Sequence, residues 1–183
     1  PQTLQHFADI LEPAGFDRRA FVACYGMAEC TLGVSFSPLW QGFSTHYIDS
    51  DHLSDQHEAV LMDTGETEGR GRHFVNCGVP LPSFEVEVRD DDGKALPDWQ
   101  SGVIHLRGPS VMSGYFNLPE ETSHALCGGG WLNTGDIGYL SDGVLTITGR
   151  KKDLIIIHGR NIWPQDLEHL AETQPEVRVG DAL

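Results

Sequence analysis

Strand signals dominate the chain from residue 75 onward, and they constrain the fold more than any other feature of the sequence. In PSFEVEVRD, Phe84, Val86 and Val88 alternate with polar residues, which is typical of a strand with one buried face. The same region contains further turn and strand patterns, namely DDDG (90–93), GVIHLRG (102–108) and SDGVLTITGR (141–150). We therefore expect this part of the protein to be rich in β-structure.

The first thirty residues follow a different pattern. Apolar residues recur at helical spacing from Leu4 to Leu11, and Pro13 and Gly15 would end that helix. AFVACYG (20–26) then predicts a short buried strand that runs into a glycine turn. A helix followed by a buried strand is typical of an α/β layer with parallel strands, so the sequence predicts a mixed α/β fold class.

The remaining segments indicate an insertion, a further strand and helix, and a domain boundary. Residues 36–74 have weak periodicity, and we interpret them as an irregular insertion with room for one or two strands. GRKKDLIIIHGRN (149–161) predicts a glycine-bounded strand, and PQDLEHLAETQ (164–174) predicts a helix with its proline in the first turn. The charged RKKD favours a domain boundary at 150–153, with a solvated hairpin loop as the alternative.

The charge balance limits the possible partners. The chain has 27 Asp and Glu against 12 Lys and Arg, which gives a formal net charge of −15. Such a surface repels phosphate backbones and anionic lipid, so nucleic acid and membrane headgroups are poor candidate partners, and a cytoplasmic protein is favoured. The longest aliphatic run, LIII at 154–157, is far too short for an integral membrane segment, and no leader pattern opens the chain. Because the first residue is Pro1, we expect a processed chain or a piece of a longer protein.

The cysteines at 24, 30, 77 and 127 form no C-x-x-C pair, and no histidine pair at zinc spacing accompanies them. We expect them to be small buried side chains. A metal site or a disulfide that involves Cys24 and Cys30 is the minor alternative.

Tyr25-Gly26-Met27-Ala28-Glu29 follows the predicted strand and is the first candidate ligand site. In open α/β sheets, ligands bind in the crevice at the carboxyl ends of the strands. There Gly26 would let the backbone approach a ligand, and Tyr25 would line the face of a flat ring. Glu29 would bind Mg²⁺, which prefers one or two carboxylates together with phosphate oxygens. A plain strand-to-helix turn explains the same five residues equally well.

Two later stretches add an acid and an arginine. Asp136, at the end of WLNTGD, is suited to accept hydrogen bonds from both hydroxyls of a ribose, although an aspartate that caps a turn is the simpler alternative. Arg150, in GRKKD, offers a planar fork for ribose or phosphate oxygens. The alternative for Arg150 is an ordinary surface cation at a strand start.

Taken in order, YGMAE, GPSVMSGYFNLPEET (108–122), WLNTGD and GRKKDLIIIHGRN resemble the carboxyl-terminal half of the adenylate-forming superfamily. This superfamily comprises acyl-CoA synthetases, nonribosomal adenylation domains and luciferases, and the resemblance covers nearly the whole chain. Ala28, PAGF (13–16) and RNIWPQDLE (160–168) are most similar to fatty acyl-AMP ligases. Val103 and Asn133 depart from the pattern, which has Glu and often Arg there, at positions without an expected role in the chemistry.

The resemblance implies an organisation in three parts. Residues 1–74 would end the α/β subdomain of a large domain, 75–149 would form its β-barrel-like subdomain, and 150–183 would hold the hinge and begin a small α+β domain. The phosphate loop and the catalytic lysine of the superfamily would lie before and after this chain. We therefore expect a fragment without adenylation activity of its own.

The resemblance also implies roles for individual residues. Glu29 is similar to the catalytic, Mg²⁺-linked acid, and Lys152 falls at the hinge about which the small domain rotates. Gly159 falls in the loop that approaches the pantetheine arm. Tyr25 is similar to the aromatic residue that contacts adenine, and Asp136 and Arg150 are similar to the ribose contacts. The candidates for nucleotide binding are Tyr25, Gly26, Met27, Ala28, Asp136 and Arg150.

The implied reaction joins a fatty acid carboxylate to the α-phosphorus of ATP, forms acyl-AMP and releases pyrophosphate. The acyl group would then pass to the phosphopantetheine of an acyl carrier protein or to coenzyme A. A long-chain acyl-CoA synthetase proper and a non-catalytic nucleotide-binding or interaction fragment are the alternatives. Residues 36–74 fall where the ligases carry an insertion that restrains the small domain, although a loop without that role fits the same length.

Overall fold

The computed structural model describes residues 2–63, 71–157, 160–162, 164–172, 174 and 176–177. They form a mixed α/β fold with antiparallel sheets, which confirms the predicted mixed α/β fold class. The helices are α1 (Gln2–Leu11), α2 (Ser50–Gln56), α3 (Pro119–Ala125) and α4 (Pro164–Glu172). The strands are β1 (Cys24–Gly26), β2 (Gly33–Phe36), β3 (Thr45–Asp49), β4 (Gly71–Val75), β5 (Val79–Pro80), β6 (Glu85–Arg89), β7 (Gly102–Arg107), β8 (Leu126–Cys127), β9 (Trp131–Ser141), β10 (Val144–Arg150), β11 (Ile155–Ile157) and β12 (Arg160–Ile162).

The largest sheet is antiparallel and has five strands, in the order β10-β9-β7-β6 with β8 beside β9. β6, β7 and β10 lie where the sequence predicts strands, whereas β8 and the long strand β9 are not predicted from the sequence. The larger core cluster consists of Tyr25, Cys30, Val34, Phe84, Ile104, Leu106, Leu132 and Leu145. Within the described residues the sheet remains open, so the barrel-like arrangement implied by the resemblance is not closed.

The amino-terminal part confirms the predicted helix but corrects the predicted strand. β1 pairs with β2, and that pairing is antiparallel, as is every strand pair among the described residues. Only Tyr25 of β1 is buried, while Cys24 and Gly26 are exposed. The prediction of a buried strand in a parallel layer is therefore wrong for this segment, because only one face of β1 packs on the core.

Residues 36–74 are more regular than predicted. β3 and β4 pair as a two-stranded antiparallel sheet, which agrees with the one or two strands expected, and α2 follows β3. The Asp49 carboxylate accepts a hydrogen bond from the His52 N–H and caps α2. The segment contributes to a second core cluster that consists of Ile48, Leu53, Ala59, Phe74 and Tyr139. The interpretation as an irregular insertion missed α2 because Leu53 is its one buried residue, too few to create a helical pattern.

The carboxyl-terminal segment contains a hairpin instead of the single strand predicted over 149–161. Gly149 and Arg150 end β10, a 3-10 turn follows at Lys151–Asp153, and β11 and β12 then pair in antiparallel fashion. The exposed charges of RKKD interrupt the apolar pattern, and this is why β10 ends there. The predicted helix is present as α4, which begins at Pro164.

All four cysteines are free thiols, so Cys24 and Cys30 form no disulfide. Cys30 is buried in the core, whereas Cys24 is exposed to solvent. Among the described residues, no group of three or more His, Cys, Asp and Glu side chains is arranged to hold a metal ion. In the same part of the chain, no helix combines the length and the apolar character that crossing a membrane requires.

Candidate functional site

Asp136 lies at the centre of the candidate site. Its side chain is only 7% exposed, and each of its carboxylate oxygens accepts a hydrogen bond. The Tyr25 hydroxyl donates to Oδ2 at 2.6 Å, and Nε of Arg150 donates to Oδ1 at 2.9 Å. The structure therefore brings together three predicted site residues that belong to three different strands.

A β-bulge in β9 orients the Asp136 side chain. The pairing of β9 with β7 shifts register beside Thr134 and Gly135, and Gly135 adopts a φ of +71°, which favours glycine. The Thr134 hydroxyl accepts a hydrogen bond from the Asp136 N–H and donates one to the Ile104 carbonyl. The predicted Thr-Gly turn is therefore a bulge within a long strand, and its hydrogen bonds fix the acid.

β10, the strand paired with β9, supplies the arginine that contacts Asp136. β10 pairs with β9 so that Arg150 lies directly opposite Asp136, and a second shift in register occurs between Ile147 and Gly149. The Arg150 side chain is 57% exposed, whereas the carboxylate that it contacts is buried. One end of the ion pair is therefore held by the sheet, and the guanidinium is accessible to a ligand.

Tyr25 is tied to the core through its ring and to Asp136 through its hydroxyl. The residue is 9% exposed and belongs to the same core cluster as Leu132. Burial, followed by the hydrogen bond to Asp136, raises the pKa of Tyr25 far above its usual value, so the hydroxyl remains a donor. A carboxylate has about four lone-pair sites, so Asp136 can accept further hydrogen bonds besides those from Tyr25 and Arg150. The contact of Tyr25 with adenine remains a prediction.

Glu29 lies in the 3-10 turn that follows β1, and a distant segment holds it. Its Oε1 accepts a hydrogen bond of 2.7 Å from the Tyr115 hydroxyl, and this bond raises the pKa of Tyr115. The Glu29 carbonyl accepts one of 2.7 Å from the Met112 N–H. Tyr115 lies in the motif 108–122, but the sequence does not indicate its contact with Glu29, because 86 positions separate the two partners.

An open cavity of about 510 Å³ lies beside Tyr115 and Gly135. Its lining consists of Tyr115, Leu118, Glu121, His124, Ala125, Asn133, Thr134 and Gly135. The lining includes Tyr115, the hydrogen-bond partner of Glu29, and Gly135, which precedes Asp136, but neither Glu29 nor Asp136 itself. Its volume is in the range of small-molecule sites.

The other predicted residues have less direct positions. Gly26 is packed so closely that a Cβ atom would lie 1.8 Å from the Leu32 carbonyl oxygen. Packing within the turn therefore requires glycine at this position. Met27 packs against the core, and Ala28 begins the turn that carries Glu29. Lys152 is exposed in the 3-10 turn after β10 and takes no part in the Asp136 cluster. Gly159 lies outside the described residues.

Comparison with known proteins gives consistent results. The model of a family described as AMP-binding enzyme matches residues 1–116. A Caulobacter vibrioides protein with a provisional assignment as an acyl-CoA synthetase is 50% identical over 179 residues, which are 97% of this chain and 31% of that protein. The medium-chain-fatty-acid–[acyl-carrier-protein] ligase JamA of Moorena producens is 37% identical over 187 residues, with 97% and 31% covered.

A solved structure from a study of fatty acyl-adenylate ligases of E. coli and L. pneumophila has a TM-score of 0.89 and 45% identity. The match covers 98% of this chain and 32% of that one. The chain thus spans about a third of the length of the curated relatives it matches.

Proposed function

The chain belongs to the AMP-binding enzyme family, and on this premise we propose that the full-length protein activates a fatty acid as acyl-AMP. In this reaction a carboxylate oxygen of the fatty acid attacks the α-phosphorus of ATP, and the bond from that phosphorus to pyrophosphate breaks. The observation that carries the proposal is the convergence of Tyr25 and Arg150 on the buried carboxylate of Asp136. A cleft lies next to it, lined by Gly135 and by Tyr115, the hydrogen-bond partner of Glu29.

Asp136 would accept hydrogen bonds from the ribose hydroxyls. Its carboxylate is prearranged by Tyr25 and by the Thr134 hydroxyl at its backbone, so little ordering remains when the nucleotide binds. The exposed guanidinium of Arg150 would add a donor for ribose or phosphate oxygens. The protein's task in this chemistry is to position the reacting groups and offset charge.

Glu29 fits the requirements of Mg²⁺ as one protein ligand. It is a partly accessible carboxylate whose Oε1 is held by Tyr115, and Mg²⁺ commonly takes one or two carboxylates and completes its shell with water and substrate phosphates. When bound, the ion would offset the charge on the ATP phosphates. The chain's own contribution is to hold the Glu29 carboxylate through Tyr115, which lines the cleft.

For the second step, we propose transfer to the phosphopantetheine of an acyl carrier protein, with coenzyme A as the alternative acceptor. The naming of JamA as an acyl-carrier-protein ligase supports the first acceptor, and the acyl-CoA synthetase assignment of the C. vibrioides relative supports the second.

Contact between α2 and β12 also supports a restraint by residues 36–74 on the segment after the hinge at Lys152. Four free thiols are consistent with the reducing cytoplasm as the location.

A Gly–Ser replacement of α2 that retains Leu53 tests the restraint, because Leu53 is the buried residue of that helix. If α2 limits rotation of the small domain, the variant should form acyl-CoA when coenzyme A is supplied, while its rate of acyl-AMP formation stays unchanged. An unchanged ratio of acyl-CoA to acyl-AMP would remove support for the restraint.

The activation step is tested by fatty-acid-dependent exchange of pyrophosphate into ATP in the full-length protein. Asp136→Ala removes a charge-assisted acceptor, so nucleotide affinity should fall about tenfold or more. Asp136→Asn retains an acceptor for Tyr25 and separates loss of binding from loss of folding. Asp92→Ala, in the exposed turn after β6, is the matched control and should behave like the parent. Unchanged exchange by Asp136→Ala would refute the role of this residue.

A further inference from the structure

Residues 108–122, which we call the strap, contact the turn that carries Glu29. The Ser110 hydroxyl donates to the Cys30 carbonyl at 3.1 Å, and the Met112 N–H donates to the Glu29 carbonyl at 2.7 Å. Val111 and Met112 also pack against the larger core cluster. These contacts hold the backbone of the turn, and none of them involves the Glu29 carboxylate.

The Tyr115 hydroxyl makes a contact of a different kind, because it donates to the carboxylate itself. Tyr115 is held in turn by Thr122 of α3, whose hydroxyl accepts from the Tyr115 N–H at 2.9 Å and donates to the Leu118 carbonyl at 2.8 Å. Hydrogen bonds therefore connect the start of α3 through Tyr115 to Oε1 of Glu29. The backbone bonds of the strap already secure the turn, so the hydroxyl is not needed for that purpose.

We propose that Tyr115 is a positioning residue that fixes the Glu29 carboxylate for its divalent cation. This inference rests on the proposed function, since it assigns a second residue to the same site. By donating to Oε1, the hydroxyl restricts the rotation of the Glu29 side chain. Residues that orient a metal ligand in this way are commonly worth about 10–100-fold in metal affinity.

The experiment measures binding instead of turnover. Calorimetry follows the binding of α,β-methylene-ATP, which resists cleavage at the reacting bond, to the full-length protein over a range of Mg²⁺ concentrations. Tyr115→Phe keeps the ring and removes the hydroxyl, so the Mg²⁺ concentration at half-maximal binding should rise about tenfold. Nucleotide affinity without Mg²⁺ should stay the same. Tyr47→Phe, which removes a hydroxyl from β3, is the matched control and should match the parent.

A double-mutant cycle distinguishes positioning from a structural role. In a Glu29→Gln background, Tyr115→Phe should cause no further change in the Mg²⁺ dependence, because the carboxylate that it orients is gone. An equal loss of nucleotide affinity with and without Mg²⁺, or an unchanged Mg²⁺ dependence in Tyr115→Phe, would overturn the inference. If the parent protein binds the nucleotide without any response to Mg²⁺, or does not bind it, the proposed function fails and this inference fails with it.

Discussion

The hydrogen bond between Tyr25 and Asp136 is the interaction whose removal has the most predictable effect. Tyr25→Phe deletes the hydroxyl and keeps the ring, so packing in the larger core cluster is preserved. A hydrogen bond to a charged group contributes about 1.5–3 kcal/mol. Because Tyr25 is 9% exposed and the Asp136 side chain 7%, water replaces the lost donor poorly, and we expect a decrease of about 2 kcal/mol in the free energy of unfolding.

Urea unfolding of the full-length protein, followed by tryptophan fluorescence, measures this change. The midpoint should fall while the slope against urea stays constant, because the substitution alters stability and not the surface exposed on unfolding. Asp136→Asn and the double variant complete a cycle, in which residues in direct contact show a coupling energy of about 0.5–3 kcal/mol. Additive effects, or a Tyr25→Phe variant within about 0.5 kcal/mol of the parent, would refute the reasoning.

Three further predictions concern Arg150 and Gly135 in the five-stranded sheet and His46 in β3. Arg150→Lys should lower nucleotide affinity several-fold with little effect on stability, because the guanidinium is 57% exposed and a lysine lacks its planar fork; calorimetry and urea unfolding check both parts. Gly135→Ala should lower the free energy of unfolding by about 1–2 kcal/mol, because φ is +71° there. No atom lies within 4 Å of the new methyl group, so the loss comes from the backbone conformation alone. Burial lowers the pKa of His46, which lies against Tyr139, so the folded state favours the neutral ring. Its stabilising contribution is present above the unfolded-state pKa of about 6.5 and is lost as the pH falls below it. Unfolding measured at pH values of about 7 and 5 should show a smaller loss in His46→Gln than in the parent, and equal losses would contradict the role of this ring.

The sequence predicted the β-rich region well because alternation and glycine turns are local signals. Val86 and Val88 mark a face of β6, and the turn at Asp90–Gly93 closes where DDDG predicts it. The antiparallel partner of β1 was missed, because a strand of three residues carries no information about the direction of its neighbour. α2 was missed because one buried leucine creates no periodicity.

The candidate site was predicted in part. Tyr25, Asp136 and Arg150 were each singled out, but only their order along the chain and the family resemblance connected them. Their hydrogen bonds depend on the bulge at Gly135 and on the register between β9 and β10, which are properties of the paired strands and not of either sequence segment. Tyr115 was missed for the same reason, since its partner lies on another element.

The central claim is that the adenosine ribose binds at the carboxylate that Tyr25 and Arg150 hold. A crystal structure of the full-length protein with a hydrolysis-resistant fatty acyl-adenylate analogue tests this claim most directly. We predict ribose hydroxyls at about 2.7 Å from the carboxylate oxygens of Asp136, the usual distance for an O–H donor. A ribose bound elsewhere, with Asp136 contacting only Tyr25 and Arg150, would contradict it.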